Sequence, residues 1–312
     1  MTISGRRVLV AGGAGFIGSQ VAFDLADAGN TVLVVDNMFA GARQLVPDGA
    51  DIKTVDIRDE DLRGTVSSFD PEVVFHLAAI HYIPYCNANP EETFEVNVMG
   101  TRNLLSAARG AGSLKRVVFT SSAAVYPPRD GANHESSAVG PMDVYGQSKL
   151  VGEDLLELFH ERTDVPCATA RLFNTYGPRE TNEHLIPAIL RQVLEGKRKI
   201  DLGNLEPKRD FIHVTDVSRA LVTLATEFDA GYEVFNVGTG SEYSVHEVVE
   251  KTSAALGENI EIVQDAKRVR ESDRPHLKAD ISRLRSTFDW EPRVDLETGL
   301  ARLLYGEEVL VE

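Results

Sequence analysis

The stretch RRVLVAGGAGFIGSQ, residues 6–20, constrains the fold of this chain more than any other. An apolar run of strand length ends at Ala11 and meets a cluster of glycines. Gly12, Gly15 and Gly18 make a G-x-x-G-x-x-G series, and Gly13, Gly15 and Gly18 also satisfy G-x-G-x-x-G. A helix is expected from about Phe16 to Ala28. Between a strand and a helix, such glycines allow a tight turn and a close approach to a pyrophosphate, whose charge sits at the positive helix end. Asp36 closes the next apolar run, TVLVVD, eighteen residues past Gly18. A carboxylate there can accept hydrogen bonds from an adenosine ribose and repels a 2′-phosphate, and no arginine follows at 37–39. The expected ligand is NAD rather than NADP. The alternative is a glycine turn that binds nothing; strand, helix and acid together speak against it.

The same alternation runs through the first half. A short DIKTVD strand, a helix near 59–68, the strand EVVFHLAA and a longer helix around 91–111 follow in order. That last helix carries Phe94, Val98, Thr101, Leu105 and Ala108 at helical spacing. KRVVFTSS reads as a strand and Val144 to Arg162 as another long helix. Alternating βα units with unbroken apolar strands predict an α/β fold, a Rossmann-type doubly wound parallel sheet covered on both faces. Beyond about residue 173 the pattern is mixed, with a helix near 184–195 and strands near 198–202 and 208–214. There is no internal repeat or linker. We therefore expect a dinucleotide-binding domain over 1–173 and a smaller interleaved C-terminal α/β substrate lobe over 174–312, with part of about 211–240 returning to the first.

Composition removes several classes. With 43% hydrophobic and 26% charged residues in 312, the chain reads as a globular protein able to bury a substantial core. It has no apolar run of 18 residues, so no membrane span is expected. The first strand begins so near Met1 that no signal peptide is expected. Two cysteines, Cys86 and Cys167, are too few for a disulfide framework, and the expected compartment is the cytoplasm. A net charge of −16 argues against a nucleic-acid partner, while leaving local arginines free to hold a small anion. No metal-ligand spacing stands out.

VYGQSKL places Tyr145 and Lys149 four residues apart, on one face of the long helix. A phenol titrating near ~10 is a poor base at neutral pH. An adjacent ammonium and a positive nicotinamide ring would both favour phenolate, so Tyr145 could take a proton from a substrate hydroxyl. Y-x-x-x-K alone describes many helix surfaces. Here it follows a strand end offering Ser121 and Ser122 hydroxyls beside the cofactor, and the set points to alcohol oxidation by hydride transfer to NAD.

In order, the chain carries GGAGFIG, HLAA, NVMGTRNLL, FTSSAAVY, VYGQSK, RLFNTYGPR, RDFIHVTDV and VRESDRP. With these it resembles the extended short-chain dehydrogenases/reductases, the NAD-dependent sugar-nucleotide epimerases and dehydratases, from residue 6 to about 300. The resemblance implies a nucleoside diphosphate sugar as substrate and Ser122, Tyr145 and Lys149 as the catalytic set. It assigns Gly12, Gly15, Phe16, Ile17, Gly18, Asp36 and Asn37 to the cofactor, with Asp56 and Ile57 at the adenine, Ala78 and Ala79 along it and Asn97 in the adjoining helix. On the substrate it places Asn174, Arg209 and Arg270 at the diphosphate and Asp273 near the nucleotide ribose. Planar, permanently charged arginine forks suit phosphate oxygens, although each arginine alone could be a surface charge.

The two positions after Ser122 separate the reactions. The resemblance implies an Asp-Glu pair there in 4,6-dehydratases, a Glu at the second in uronate decarboxylases and a Cys at the second in 3,5-epimerising relatives. Here they are Ala123 and Ala124, which transfer no proton. Ser-Ala-Ala-Val-Tyr is typical of the UDP-glucose 4-epimerase subgroup, so a UDP-sugar 4-epimerase is expected, with a uronate, an N-acetyl sugar or another base open. The alternatives are a dehydratase or oxidoreductase on a similar substrate, or a non-catalytic NAD-binding protein. Two departures bear on the sugar: Pro127 and Pro128 stiffen the loop past Tyr126, and Tyr85 and Cys86 stand where relatives carry Arg-Ser. Both segments are expected near the sugar. His81 reads first as a loop histidine facing solvent or neighbouring backbone, its alternative being a substrate contact or proton carrier. His76 and His213 read as core or backbone-bonded histidines, and Cys86 as no nucleophile. The aliphatic faces of helices 91–111 and 144–162 either form a homodimer interface or pack within the monomer.

Overall fold

The computed structural model describes residues 3–180, 182, 184–266 and 274–306. Seven strands form one wholly parallel sheet. Their spatial order is Tyr232–Val237, Cys167–Leu172, Arg116–Ser122, Val73–His76, Arg7–Ala11, Thr31–Asp36 and Ala50–Thr54. The inner strands are apolar at consecutive positions because both faces are covered. Val8, Val10, Val34 and Phe75 face a core shared with the helices Phe16–Asp27 and Val214–Glu227. Leu9, Leu33, Val74 and Phe119, the alternate residues of the same strands, face Asp61–Phe69, Thr101–Ala108 and Val144–Thr163. Tyr232–Val237 comes from the C-terminal half, yet pairs along its whole length with Cys167–Leu172.

The direction of winding reverses between Arg7–Ala11 and Val73–His76. Chains leaving these two strands diverge, and the crevice between them is where such sheets bind ligands. The C-terminal half adds a third core, in which Ile189, Ile200, Val248 and Leu300 join the helices Leu185–Leu194, Val245–Leu256 and Leu296–Tyr305.

Two expected elements differ. The helix expected over 91–111 is two short helices, Pro90–Phe94 and Thr101–Ala108, joined by a wider helical turn over Glu95–Gly100. The widening accompanies Asn97, whose carboxamide accepts from the Ile80 N–H and donates to the Ile80 carbonyl, both at 2.8 Å. Such turns recur where a helix must aim a side chain. The single strand expected over 208–214 is split: Lys208–Arg209 pairs with His276–Ala279, and Phe211–His213 with Asn174–Tyr176. Between them the buried Asp210 carboxylate accepts N–H groups of Thr239, Gly240 and Ala279 at 2.8, 2.9 and 3.1 Å, which turns the chain between two small sheets.

Beneath the strand end carrying the two serines lies a buried ion pair. Arg171 reaches Glu153 with Nε at 2.9 Å and a second nitrogen at 2.7 Å, both side chains being almost wholly buried. Ser121 bonds the same carboxylate. Arg171 also donates to the Tyr126 hydroxyl at 2.9 Å, which donates to Asn236 at 2.7 Å on the C-terminal strand. Removing one member of such a pair strands a buried charge. Glu153→Ala is expected to lose about 3–5 kcal/mol, read from urea unfolding, and a change below 1 kcal/mol would contradict this account.

Candidate active site

A cavity of about 390 Å³ opens at the carboxyl ends of the strands, over the reversal point. Its floor is backbone. Gly12 has φ +82°, and a Cβ there would stand 2.5 Å from the Ala78 nitrogen. A Cβ on Gly18 would stand 2.0 Å from the Gly12 carbonyl oxygen. Gly15 begins the helix with extended backbone and no side-chain cap, so the first-turn N–H groups of Phe16 and Ile17 are left to a ligand. Gly12, Gly15, Phe16, Ile17 and Gly18 all line the cavity, a cradle that fits an anionic pyrophosphate.

Asp36 ends its strand on the same wall and is buried. One carboxylate oxygen accepts the Ala14 N–H at 3.0 Å and the other the Met38 N–H at 2.9 Å. Asn37 lines the cavity and donates to Asp56 at 2.8 Å. Asp56 itself is off the wall, where Arg58 grips it at 2.9 and 2.8 Å and holds its carboxyl down at about 2. Arg58 and Ile57 face the cavity instead; Ile57 is pressed against Gly100, where a Cβ would come within 2.6 Å of it. Ala78 and Ala79 line the wall, whereas Asn97 lies behind it, bonded to Ile80 and, at 2.9 Å, to Ser148.

Ser122, Tyr145 and Lys149 meet on one side. Asp143 caps the helix by accepting the Gly146 N–H at 2.7 Å, which sets the turn bearing Tyr145. Ser122, whose hydroxyl accepts the Ala124 N–H at 3.1 Å, faces the same cavity as the Tyr145 phenol and favours its ionised form. Lys149 is 4% exposed, donates to the Thr120 carbonyl at 2.9 Å and lies 5.9 Å from the Tyr145 ring centre. Burial acts against both charges: it raises the phenol above its ordinary value, with Ser122 opposing, and pushes the ammonium down to about 7. The lysine alone therefore does not make a phenolate here. Ser121 points away, to Glu153. Ala123 and Ala124 line the cavity and bring no proton-carrying group.

Asn174 and Arg209 line the far part of the cavity, with Arg274 beside them. Arg209 donates to the carbonyls of Lys208 and Arg274, both at 2.7 Å, and Arg274 to the Ala124 carbonyl at 3.1 Å. Arg270 and Asp273 lie outside the described residues. His81 is half-buried on the cavity wall, where its Nε2 lies 2.9 Å from the Asn182 amide nitrogen, and burial pushes it down to about 4. His76 is a core residue, 2.7 Å from the Thr101 hydroxyl and pushed down to about 3 by burial. His213 accepts the Thr215 N–H at 3.3 Å as a helix cap. Burial raises the Cys86 thiol.

The loop leading to Tyr85 does line the cavity, from Ala78 to Pro84, but Tyr85, Cys86, Pro127 and Pro128 lie off the wall. Tyr126 turns inward to Asn236, leaving Pro127 against Gly140, and Tyr85 leans on Phe39 and donates to Glu92 at 2.7 Å. The sequence reading missed Arg58, Arg274, Glu180, Asn182 and His184, all on the wall. A signal existed for Arg274, the second arginine of VRESDRP; for the others spacing gave none. Among the described residues no cluster of His, Cys, Asp and Glu could hold a metal, and no helix is long and apolar enough to cross a membrane.

Comparison with known proteins agrees with this geometry. The model of the NAD dependent epimerase/dehydratase family matches residues 8–238. The chain is 36% identical over 313 residues to a UDP-glucose 4-epimerase of Streptomyces lividans, covering 93% of each. It superposes on the UDP-glucose 4-epimerase of Thermotoga maritima, solved with UDP-glucose, with a TM-score of 0.90 and 30% identity over 97% of this chain and 100% of that one. The Thermus thermophilus UDP-glucose 4-epimerase, solved with NAD, gives 0.88 at 30% identity, covering 98% and 100%.

Lys149 should leave a mark on stability. The folded chain releases its proton near 7, while an ordinary lysine keeps it to 10.5. Between those values the unfolded chain binds more protons, so stability rises with pH. The urea midpoint of the wild type relative to Lys149→Met is expected to climb across that window; a constant difference would refute the lowered value.

Proposed function

We propose that this chain, which belongs to the NAD-dependent epimerase/dehydratase family, inverts C4 of a UDP-sugar through a transient 4-keto intermediate. The observation that carries this reading is the meeting of Ser122, Tyr145 and Lys149 on a cavity whose next two side chains are Ala123 and Ala124. Bound NAD supplies the hydride acceptor and, with its positive ring, the electrostatic support that the buried phenol lacks. Gly12, Gly15 and Gly18 hold the pyrophosphate by backbone, and Asp36 and Asn37 the adenosine ribose. Ile57 and Arg58 flank the adenine, with Asp56 steadying Arg58; Asn97 acts by fixing Ile80 rather than by contact.

In the forward step Tyr145 takes the C4 hydroxyl proton, with Ser122 orienting that oxygen, as hydride leaves C4. Lys149 holds the helix face toward the cofactor ribose through its anchorage on Thr120. Once the ketone has turned, the hydride would return from the bound cofactor to the other face of the ketone, and Tyr145 would give the proton back to the C4 oxygen. Asn174, Arg209 and Arg274 hold the diphosphate, joined by Arg270 and Asp273 on the resemblance alone. Ala123 and Ala124 offer no group to abstract a C5 proton, which disfavours a dehydratase.

We divide the chain into an NAD-binding domain over 1–173, completed by part of about 211–240, and a substrate lobe over 174–312; the strand Tyr232–Val237 in the main sheet supports this. Met99 at 50% exposure and Leu158 at 38% support a homodimer through the segments around them. Two free, buried cysteines suit a cytoplasmic protein.

The test is conversion of UDP-glucose and UDP-galactose by the NAD-loaded protein in heavy water, followed by NMR. A 4-epimer without deuterium at C5 is expected, and deuterium at C5 would refute the mechanism. Tyr145→Phe is expected to abolish turnover while NAD stays bound; full activity in that variant would sink the assignment.

A further inference from the structure

We propose that Glu180, held by His184 beside His81 and Asn182, forms a subsite that accepts a hydrogen bond from a hydroxyl of the bound sugar and rejects sugars bearing a carboxylate. This rests on the nucleotide-sugar reading above and narrows it to neutral sugars. The four side chains share the cavity wall with Tyr145. Glu180 and Asn182 also line a second cavity of about 310 Å³, so they stand as a partition between the two.

The Glu180 side chain is 3% exposed, and its Oε1 lies 2.5 Å from His184 Nδ1. Among the described residues its buried Oε2 has no hydrogen-bond partner. A carboxylate oxygen in that condition is costly to leave unmade, so a donor brought by the ligand offsets a standing penalty. His81 does not supply it: the Asn182 amide donates to its Nε2, the pattern of a neutral ring, and burial pushes it down to about 4. The Asn182 amide nitrogen and His81 Nε2 thus engage each other, and the buried Glu180 Oε2 stands beside them as an acceptor. Among the described residues the three arginines on the wall are already engaged. Arg58 is engaged by Asp56, and Arg209 and Arg274 donate to backbone carbonyls. A uronate placed here would face Glu180 with like charge, whereas a hydroxyl donates to it.

The test compares wild type and Glu180→Gln, both NAD-loaded, for kcat/KM with UDP-glucose and with UDP-glucuronate, alongside calorimetric binding of both sugars, of UDP and of NAD. In the wild type UDP-glucose is expected to be preferred, and in Glu180→Gln that preference is expected to fall about tenfold or more, with UDP and NAD affinities unchanged. An unchanged preference would overturn the proposal. So would a loss of NAD or UDP affinity, which would assign Glu180 to the cofactor or the nucleotide. If the wild type binds UDP-glucose but turns over neither sugar, the epimerase reading fails, while the ratio of the two sugars' affinities still decides the subsite. Should Glu180→Gln not fold, His184→Asn, which loosens Oε1, tests the same ratio.

Discussion

At the centre of this molecule two stretches of backbone touch with no side chain between them. Residue 12 lies so close to residue 78 on one side and residue 18 on the other that a carbon added to Gly12 would strike the main chain at 78, and one added to Gly18 the main chain at 12. This contact brings the start of the first helix down onto the end of the first strand and lets the neighbouring strand's loop close against the same point. The cavity floor is therefore built of amide groups at fixed positions, without rotamers to freeze when an anion arrives. Everything that follows in the site is measured from that floor.

The reactive side chains are then fixed by bonds that run back into the protein. Asn97 clamps both polar atoms of Ile80 and reaches Ser148, which donates to the Tyr145 carbonyl at 2.8 Å. The loop after the central strand and the helix bearing the phenol are thereby one unit. On the other side, Ser121, Glu153, Arg171, Tyr126 and Asn236 form a buried chain from the serine strand to the C-terminal strand. The burial that makes Tyr145 and Lys149 reluctant to ionise is the consequence of being held so firmly, and it makes the chemistry wait for the cofactor's charge.

What was legible in the sequence is what depends on local spacing. Strand-length apolar runs gave the parallel sheet, the glycine interval gave the turn, and a four-residue step placed Tyr145 above Lys149. What was not legible depends on partners far away along the chain. The resemblance put Asn97 beside the cofactor, but nothing local announced its bonds to Ile80, which accompany the widened turn and keep it behind the wall. Asp210 looked like a residue inside a strand, but its three backbone partners, all in segments from 239 onward, split that strand in two. His81 and Glu180 lie far apart in sequence and become neighbours only through the Asn182 and His184 segment. Tyr85 and Pro127 drew notice as departures and lie off the wall, because stacking on Phe39 and the inward turn of Tyr126 carry them away.

The wide turn at Glu95–Gly100 holds one more residue than a regular helix would use to cover the same rise. Each helical residue advances the face by about 100°. Deleting one residue here would restore a regular helix and leave Thr101 beside His76 and Leu104 and Leu105 in the sheet-facing core, but it would remove the widening that accompanies the Asn97 bonds to Ile80. What the extra residue serves is the Asn97 clamp on Ile80 and Ser148, and the same turn ends at Gly100, where a Cβ would come within 2.6 Å of Ile57.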